Sequence, residues 1–327
     1  MSAEKVTMSE KTAIGIAHSK LILIGEHAVV HGQPAIAIPF PLIGVETQVE
    51  YVPGSIKLDS TFYHGPLHLV PDSLKGVAQC IEGTLKHLGL PVRDLLIKIQ
   101  SSIPPGKGLG SSASVAISVV RSLFAYAERK YTDQELLDLA NIAETYAHGS
   151  PSGIDAITIS SKCPVWYEKE KPIDYLTLGE DLHFIVADSG RIGDTKTAVE
   201  SVTNLLKKAP RKIQRKIERI GELTHQAKHA LEKAGKTLLG HILNEAQKEL
   251  EALGVSDAGL NRLIHFAREH GALGAKLTGA GNGGCIIALA RNEIHSKQLA
   301  EKLKNYGAQA VWSFVLKRDT EHNRQRG

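Results

Sequence analysis

The chain has 327 residues, 42% of them hydrophobic and 23% charged, and a formal net charge of +4 at pH 7. These values are ordinary for a soluble globular protein of about two domains, and the charge is too small to indicate nucleic-acid binding by itself. No run of about 18 apolar residues predicts a membrane helix, and residues 1–12 lack the apolar segment of a signal peptide. The three cysteines are far apart in sequence, which favours a reducing compartment. We therefore expect a cytoplasmic protein that does not bind a membrane.

Four short apolar runs near the N-terminus, separated by glycine and proline, predict strands. They cover residues 13–17, 21–24, 35–38 and 45–52. Glu26 and His27 directly follow the second run. Composition alone leaves a structural or exposed role for this acid and histidine as open as a functional one.

A hairpin is predicted over residues 55–70 and a helix over 73–88, which ends at Gly89. The alternating apolar residues of 95–99 then predict a strand. Apolar positions at helical spacing from 115 to 129 predict a helix. Between this strand and this helix lies a glycine-rich segment.

The glycine-rich segment has the composition of a phosphate-binding turn. Its three glycines permit backbone angles that other residues avoid and allow the main chain to approach a ligand closely. The following helix offers unpaired N–H groups and the positive end of its dipole. The segment is neither a Walker A box nor a dinucleotide fingerprint. It predicts a site for a polyphosphate with its metal, formed by Pro104, Pro105, Gly106, Lys107, Gly108, Leu109, Gly110, Ser111, Ser112, Ala113 and Ser114.

Two acidic residues downstream, Glu144 and Asp155, are candidates for metal binding or catalysis. Thr132 and Glu135 form a capping-box pattern at the start of a predicted helix, and Glu144 lies at the margin of the buried face of that helix. An exposed acid there would be unremarkable, although a carboxylate at the edge of a core can also bind a metal. Asp155 follows Pro151, Ser152, Gly153 and Ile154, where an aspartate in a turn is the common alternative.

The second half of the chain alternates helical and strand patterns. A strand is predicted at 182–190, helices over 195–253 with breaks near Pro210 and Gly235, a helix at 293–305 and a strand at 309–316. A glycine-rich turn at 276–285 joins a short strand to the apolar run 286–290. The basic stretch 207–216 favours a solvated helix face over a nucleic-acid contact, because no aromatic residues are interleaved.

Three of these stretches resemble motifs of the GHMP kinases. Residues 104–113 resemble their phosphate loop, and residues 276–285 resemble their third motif, a glycine turn from the second domain. Residues 18–32 resemble the first motif of the mevalonate kinases, with Gly25-Glu26-His27 followed by Ala-Val-Val-His-Gly. Galactokinases continue with Thr-Asp after the histidine. His18 and Ser19 differ from the Pro-Gly pair of many relatives.

The resemblance implies an α+β two-domain GHMP kinase fold. Its N-terminal domain, residues 1–181, would be of the ribosomal protein S5 domain 2-like type and would carry the ATP phosphate loop. The C-terminal domain, residues 182–327, would be ferredoxin-like. The activity implied is transfer of the ATP γ-phosphate to the C5 hydroxyl of (R)-mevalonate. The alternatives are another GHMP small-molecule kinase, an inactive relative that binds a ligand, and a nucleic-acid-binding module.

Roles for single residues also come from the resemblance. Asp155 would act as general base or orienting group, with Lys20 as its partner. Ser112 and Glu144 would hold Mg²⁺, and the loop would hold ATP. Mevalonate would contact Glu26, His27, Thr195 and Gly281. Relatives are often homodimers, so we expect a homodimer.

Overall fold

The computed structural model describes residues 11–148 and 153–318. The chain divides into two compact units that are interleaved in sequence. The first unit comprises residues 1–20, 43–104 and 110–162, and the second comprises residues 21–42, 105–109 and 163–327. The chain passes between the units inside two long strands, β1 (Thr12–Ile24) and β2 (Ala35–Tyr51). The domain boundary after residue 181 stays a prediction.

The described residues of the first unit form a sheet and four α-helices. Its sheet contains parts of β1 and β2 together with β3 (Lys57–Ser60), β4 (Tyr63–Pro66) and β5 (Leu95–Ser101). The strand order is β4-β3-β5-β2, and β1 also pairs with β2. The helices are α1 (Lys75–Leu88), α2 (Ser111–Tyr126), α3 (Asp133–His148) and α4 (Ile154–Ser160).

The N-terminal strands are fewer and longer than the sequence predicts. The predicted runs 13–17 and 21–24 merge into β1, and 35–38 and 45–52 merge into β2. Gly15, inside the first predicted run, permits close packing, since a Cβ there would lie 2.2 Å from the carbonyl oxygen of Ser118. Pro39 and Pro41 lie between residues 35–37 and residues 45–51 of β2, which pair with two different strands, so their missing N–H groups interrupt neither of these two ladders.

The predicted helices of the first unit form. Gly89 ends α1 in the left-handed conformation, with φ 70°. The capping box of α3 is also present, because the Glu135 carboxylate accepts from the Thr132 backbone N–H at 2.8 Å and the Glu135 N–H donates to the Thr132 hydroxyl at 3.2 Å. Helices α1, α2 and α3 pack on one another, and α2 also packs on α4.

The second unit contains a four-stranded antiparallel sheet. Its strands are β8 (Leu182–Asp188), β9 (Gly274–Thr278), β10 (Cys285–Ala290) and β11 (Ala310–Leu316), in the order β11-β8-β10-β9. Helical segments separate β8 from β9 and β10 from β11, as in a ferredoxin-like βαββαβ arrangement. The α+β fold class is thereby confirmed.

Five α-helices lie among the described residues of this unit. They are α5 (Thr195–Lys208), α6 (Pro210–Glu232), α7 (Lys236–Ala252), α8 (Ala258–Glu269) and α9 (Glu293–Asn305). The predicted breaks hold, since Pro210 occupies the first turn of α6 and Gly235 precedes α7. The basic residues of 207–216 that the structure exposes include Lys207, Lys208 and Arg211, which fits a solvated helix face.

Helices α4 and α8 and two short strands were not predicted. Helix α8 begins after Asp257, whose carboxylate accepts from the N–H groups of Gly259 and Leu260. Strands β6 (Val165–Tyr167) and β7 (Asp174–Tyr175) are too short to show a periodicity. Within the described ranges, no helix combines the length and apolar character needed to cross a bilayer.

Candidate active site

The glycine-rich loop leads directly into α2, which begins at Ser111. Gly110 precedes it with φ 74°, and a Cβ there would lie 2.9 Å from Cγ of Lys20, so only glycine fits. No side chain caps this fully described helix end. Its first backbone N–H groups and the helix dipole are therefore available to an anion.

The serines of this helix start have different surroundings. Ser112 is exposed and Ser111 is half-buried, whereas Ala113 and Ser114 are buried. The Ser114 hydroxyl lies 2.9 Å from the carbonyl oxygens of His18 and of Gly110, so it anchors the helix to β1. Among these residues, Ser112 is the most exposed.

Lys20 and Asp155 form an ion pair within the first unit. Lys20 Nζ lies 2.8 Å from Oδ1 of Asp155, with the lysine side chain 6% exposed and the aspartate side chain 33% exposed. Lys20 belongs to β1, and Asp155 lies in the first turn of α4 rather than in an irregular turn. The buried Lys20 ammonium group holds the Asp155 carboxylate in an ion pair, while the partly exposed aspartate remains accessible to a ligand.

Glu144 carries a buried oxygen that has no partner. It lies on α3, is 8% exposed, and its Oε1 accepts no hydrogen bond from any described residue. An unsatisfied buried carboxylate oxygen is costly, and such groups often face an ion or ligand. Glu144 therefore has the character of an oxygen ligand for a hard cation.

Glu26 is paired with a lysine in the second unit. Lys276 of β9 is fully buried and donates to Oε1 of Glu26 and to the Leu277 carbonyl oxygen, the latter at 2.6 Å. Burial lowers the pKa of Lys276, and the Glu26 carboxylate opposes that change. This pair fixes the Gly-Glu-His segment to β9.

His27 is buried with one ring nitrogen unused. Its Nε2 lies 2.8 Å from the Ala280 carbonyl oxygen, and because a carbonyl only accepts, Nε2 carries the proton. Nδ1 is buried and has no described partner. Burial lowers the pKa of His27, so the ring is neutral near pH 7 and Nδ1 is an acceptor. The side chain is suited to accept a hydrogen bond from a hydroxyl group.

Lys107 turns its charge away from solvent. Its Nζ lies 2.8 Å from Oδ1 of Asp188 and 3.0 Å from the Arg191 carbonyl oxygen. Its side chain is 6% exposed and that of Asp188 is 3% exposed. The lysine of the predicted ATP loop thus anchors residues 105–109 to the end of β8, and only its backbone remains for phosphate.

The remaining predicted contacts of the second unit differ in exposure. Thr195 is exposed at the start of α5, next to Asp194, which caps that helix. Gly281 lies in the turn between β9 and β10 with φ 79°, and a Cβ there would lie 2.0 Å from the Val255 carbonyl oxygen. No larger residue fits at Gly281.

Sequence reasoning missed the partners Lys276 and Asp188. Lys276 offers a signal, because it is a single charged residue between Ala275 and Leu277 in a strand whose residues are all buried. Such a lysine requires an acid. Asp188 gave no comparable signal, since an acid at the end of a strand is common. The structure brings Lys20, Gly110 and Asp155 together in the first unit, and Glu26 and His27 lie together in the second.

Family models match both halves of the chain. The model described as "GHMP kinases N terminal domain" matches residues 74–162, and the model described as "GHMP kinases C terminal" matches residues 227–309. Because GHMP kinases use ATP, the loop and the free start of α2 belong to an ATP-dependent kinase.

Relatives matched over most of their length show which branch of the GHMP kinases the chain resembles. The chain is 34% identical to a mevalonate kinase of Thermococcus gammatolerans, over 84% of this chain and 88% of that protein. It is 32% identical to a mevalonate kinase of Pyrococcus abyssi, over 94% and 96%. The solved structure of L. major mevalonate kinase in complex with R-mevalonate superposes with a TM-score of 0.82 at 25% identity, covering 97% of this chain and all of that one. The chain belongs to the mevalonate kinase family of the GHMP kinases.

Proposed function

We propose that this protein transfers the γ-phosphate of ATP to the C5 hydroxyl of (R)-mevalonate, giving 5-phosphomevalonate in the mevalonate pathway of isoprenoid biosynthesis. The observation that carries the mechanism is the Lys20–Asp155 pair at 2.8 Å, with Lys20 packed against Gly110 at the start of α2. This pair places a carboxylate and a cation beside the start of α2, where the phosphate loop ends, within the first unit.

Phosphoryl transfer requires positioning and charge neutralisation more than covalent help. The backbone N–H groups at the start of α2 bind phosphate oxygens, and Lys20 stabilises charge that develops during transfer. An alcohol is a weak nucleophile near pH 7, so Asp155 accepts the proton of the attacking hydroxyl. The Lys20 ammonium group holds that carboxylate in orientation through their ion pair.

Mg²⁺ is proposed at Ser112 and Glu144. The unpartnered Oε1 of Glu144 and the exposed hydroxyl of Ser112 are hard oxygen donors that suit this ion. The described residues contain no group of three His, Cys, Asp or Glu side chains placed to hold a metal. This fits an ion held by one or two protein groups together with substrate phosphates, where it neutralises phosphate charge.

Mevalonate recognition is proposed for residues of the second unit. Nδ1 of His27 accepts a hydrogen bond from a mevalonate hydroxyl, and the Thr195 hydroxyl and the Gly281 backbone add polar contacts. Glu26 contacts a hydroxyl and, through Lys276, holds His27 in place. We also propose that the protein works in the cytoplasm as a homodimer, away from membranes and nucleic acid, as the family resemblance implies.

The test is a coupled assay of ADP release with MgATP, in which mevalonate, phosphomevalonate, homoserine and galactose are offered separately. Turnover with mevalonate alone is the expected result. Turnover with another of these alcohols would retain the phosphate site and overturn the roles of Glu26 and His27. If protein that binds ATP releases no ADP with any of the four compounds, the result would favour a ligand-binding regulator instead.

A further inference from the structure

His18 lies two residues before Lys20 and has a ring that bridges two carbonyl groups. Its Nδ1 lies 2.8 Å from the Ser19 carbonyl oxygen, and its Nε2 lies 3.1 Å from the Ser161 carbonyl oxygen. A carbonyl oxygen only accepts hydrogen bonds, so Nε2 of His18 is the donor in the bond to Ser161. The bond through Nε2 joins residues 143 positions apart.

The long-range bond ends at the helix that carries Asp155. Ser161 follows the last residue of α4 and forms its C-cap, whereas Asp155 lies in the first turn of the same helix. Strand β1 is therefore attached to both ends of α4, by Lys20 at the start and by His18 at the end. A donor that binds a carbonyl at a helix C-terminus adds to the hydrogen bonds that hold that end of the helix.

Helix α4 depends on such attachments. It has only seven residues, and helices of that length are not stable by themselves in water. The backbone of the His18 residue also accepts a hydrogen bond from Ser114 of α2. His18 is thus the residue at which β1, α2 and the end of α4 are connected.

We propose that His18 is a positioning residue, whose Nε2 bond to Ser161 holds α4 so that Asp155 stays within reach of Lys20. This inference rests on the proposed roles of Lys20 and Asp155 in phosphoryl transfer. His18 itself contacts neither substrate. Because small displacements of a reacting group are costly, loss of the bond lowers the rate of the chemical step more than the binding of ATP.

Glutamine and asparagine separate the two ring bonds. The amide nitrogen of glutamine reaches about as far as Nε2 of histidine, and that of asparagine about as far as Nδ1. We expect His18→Gln to keep most of kcat, whereas His18→Asn and His18→Leu lose about tenfold or more of it. The KM for ATP should change less than about twofold in all three variants, as judged against the exposed control His68→Leu.

The measurements are kcat, KM for ATP and for mevalonate, and the far-UV circular dichroism of each variant. A wild-type kcat in His18→Leu would overturn the inference, and so would equal rates in the glutamine and asparagine variants. Loss of folding in His18→Gln would also overturn it, since that variant retains the bond. If Asp155→Asn keeps the full rate, the proposed mechanism fails instead, whatever the His18 variants show.

Discussion

The proposed role of Asp155 as proton acceptor can be tested by a single substitution. We expect Asp155→Asn to lower kcat on the order of 10² or more, because the amide cannot accept the hydroxyl proton. ATP binding, measured by equilibrium titration, should remain. Asp138→Asn, an exposed change of the same kind on α3, serves as the control and should have normal kinetics. A nearly normal rate in Asp155→Asn would remove Asp155 from the mechanism.

Glu144 gives a second prediction at the scale of one residue. Glu144→Gln should raise the Mg²⁺ concentration for half-maximal activity about tenfold or more, since affinity for the ion depends on ligand charge. Stability should not fall, because the variant removes a buried charge whose Oε1 has no described partner.

A magnesium titration of activity and a thermal melt together check this prediction. Glu128→Gln, on the exposed surface, is the control. If Glu144→Gln melts earlier and keeps its magnesium dependence, Glu144 has a structural role and the proposed metal ligand must be sought elsewhere.

At the scale of elements, the phosphate loop is anchored to the end of β8 by the buried ion pair of Lys107 and Asp188. Replacing Lys107 by methionine leaves Asp188 buried without its cation, which typically costs about 3–5 kcal/mol of stability. We expect Lys107→Met to lower the free energy of unfolding by this order and to raise the KM for ATP.

A double-mutant cycle checks the anchor. The variant with both Lys107→Met and Asp188→Asn should lose less stability than the two single variants together, because no unpaired buried charge remains. Lys207→Met, an exposed change, is the control. Additive losses in urea unfolding would show that the two side chains do not act as a pair.

At the scale of elements, local chemistry made some features predictable. Gly89, the Thr132–Glu135 capping box and Pro210 mark helix ends through their own backbone and side-chain bonding, and those ends form. The ferredoxin-like type of the second unit's sheet was implied by the resemblance. The predicted break at Pro39 did not form, because strand pairing on either side of it, a tertiary property, keeps the chain extended.

The site was predictable to a lesser degree. The resemblance named Lys20 and Asp155, and the structure brings them within 2.8 Å of each other. It gave no means of finding Asp188 as the partner of Lys107, since the two are 81 positions apart and the pairing depends on the folded backbone. It likewise gave no role to His18, whose bond to Ser161 exists only once α4 has packed.

At the scale of the whole molecule, the three cysteines report on opening of the fold. Cys80 and Cys285 are buried, and burial raises the pKa of Cys80 to about 12 and that of Cys285 likewise well above its usual range. Thiolates are the reactive form, so native protein at pH 8 should expose at most the half-buried Cys163 to a disulfide reagent.

Protein unfolded in guanidinium should react with all three thiols at once. The rate at which Cys80 and Cys285 react under native conditions then measures opening of the first and the second unit, respectively. Rapid reaction of all three thiols in native protein would contradict the burial of these residues.

The interleaving of the two units in the sequence limits how this protein could be rearranged. Residues 21–42 belong to the second unit although they lie inside the first half of the chain, and Ala28 from this segment is part of the second unit's hydrophobic core. Recombination at a single point within residues 21–162 would therefore separate parts of the second unit's core from one another. We conclude that neither unit is an exchangeable module, and that the catalytic chain must be inherited, expressed and engineered as one piece.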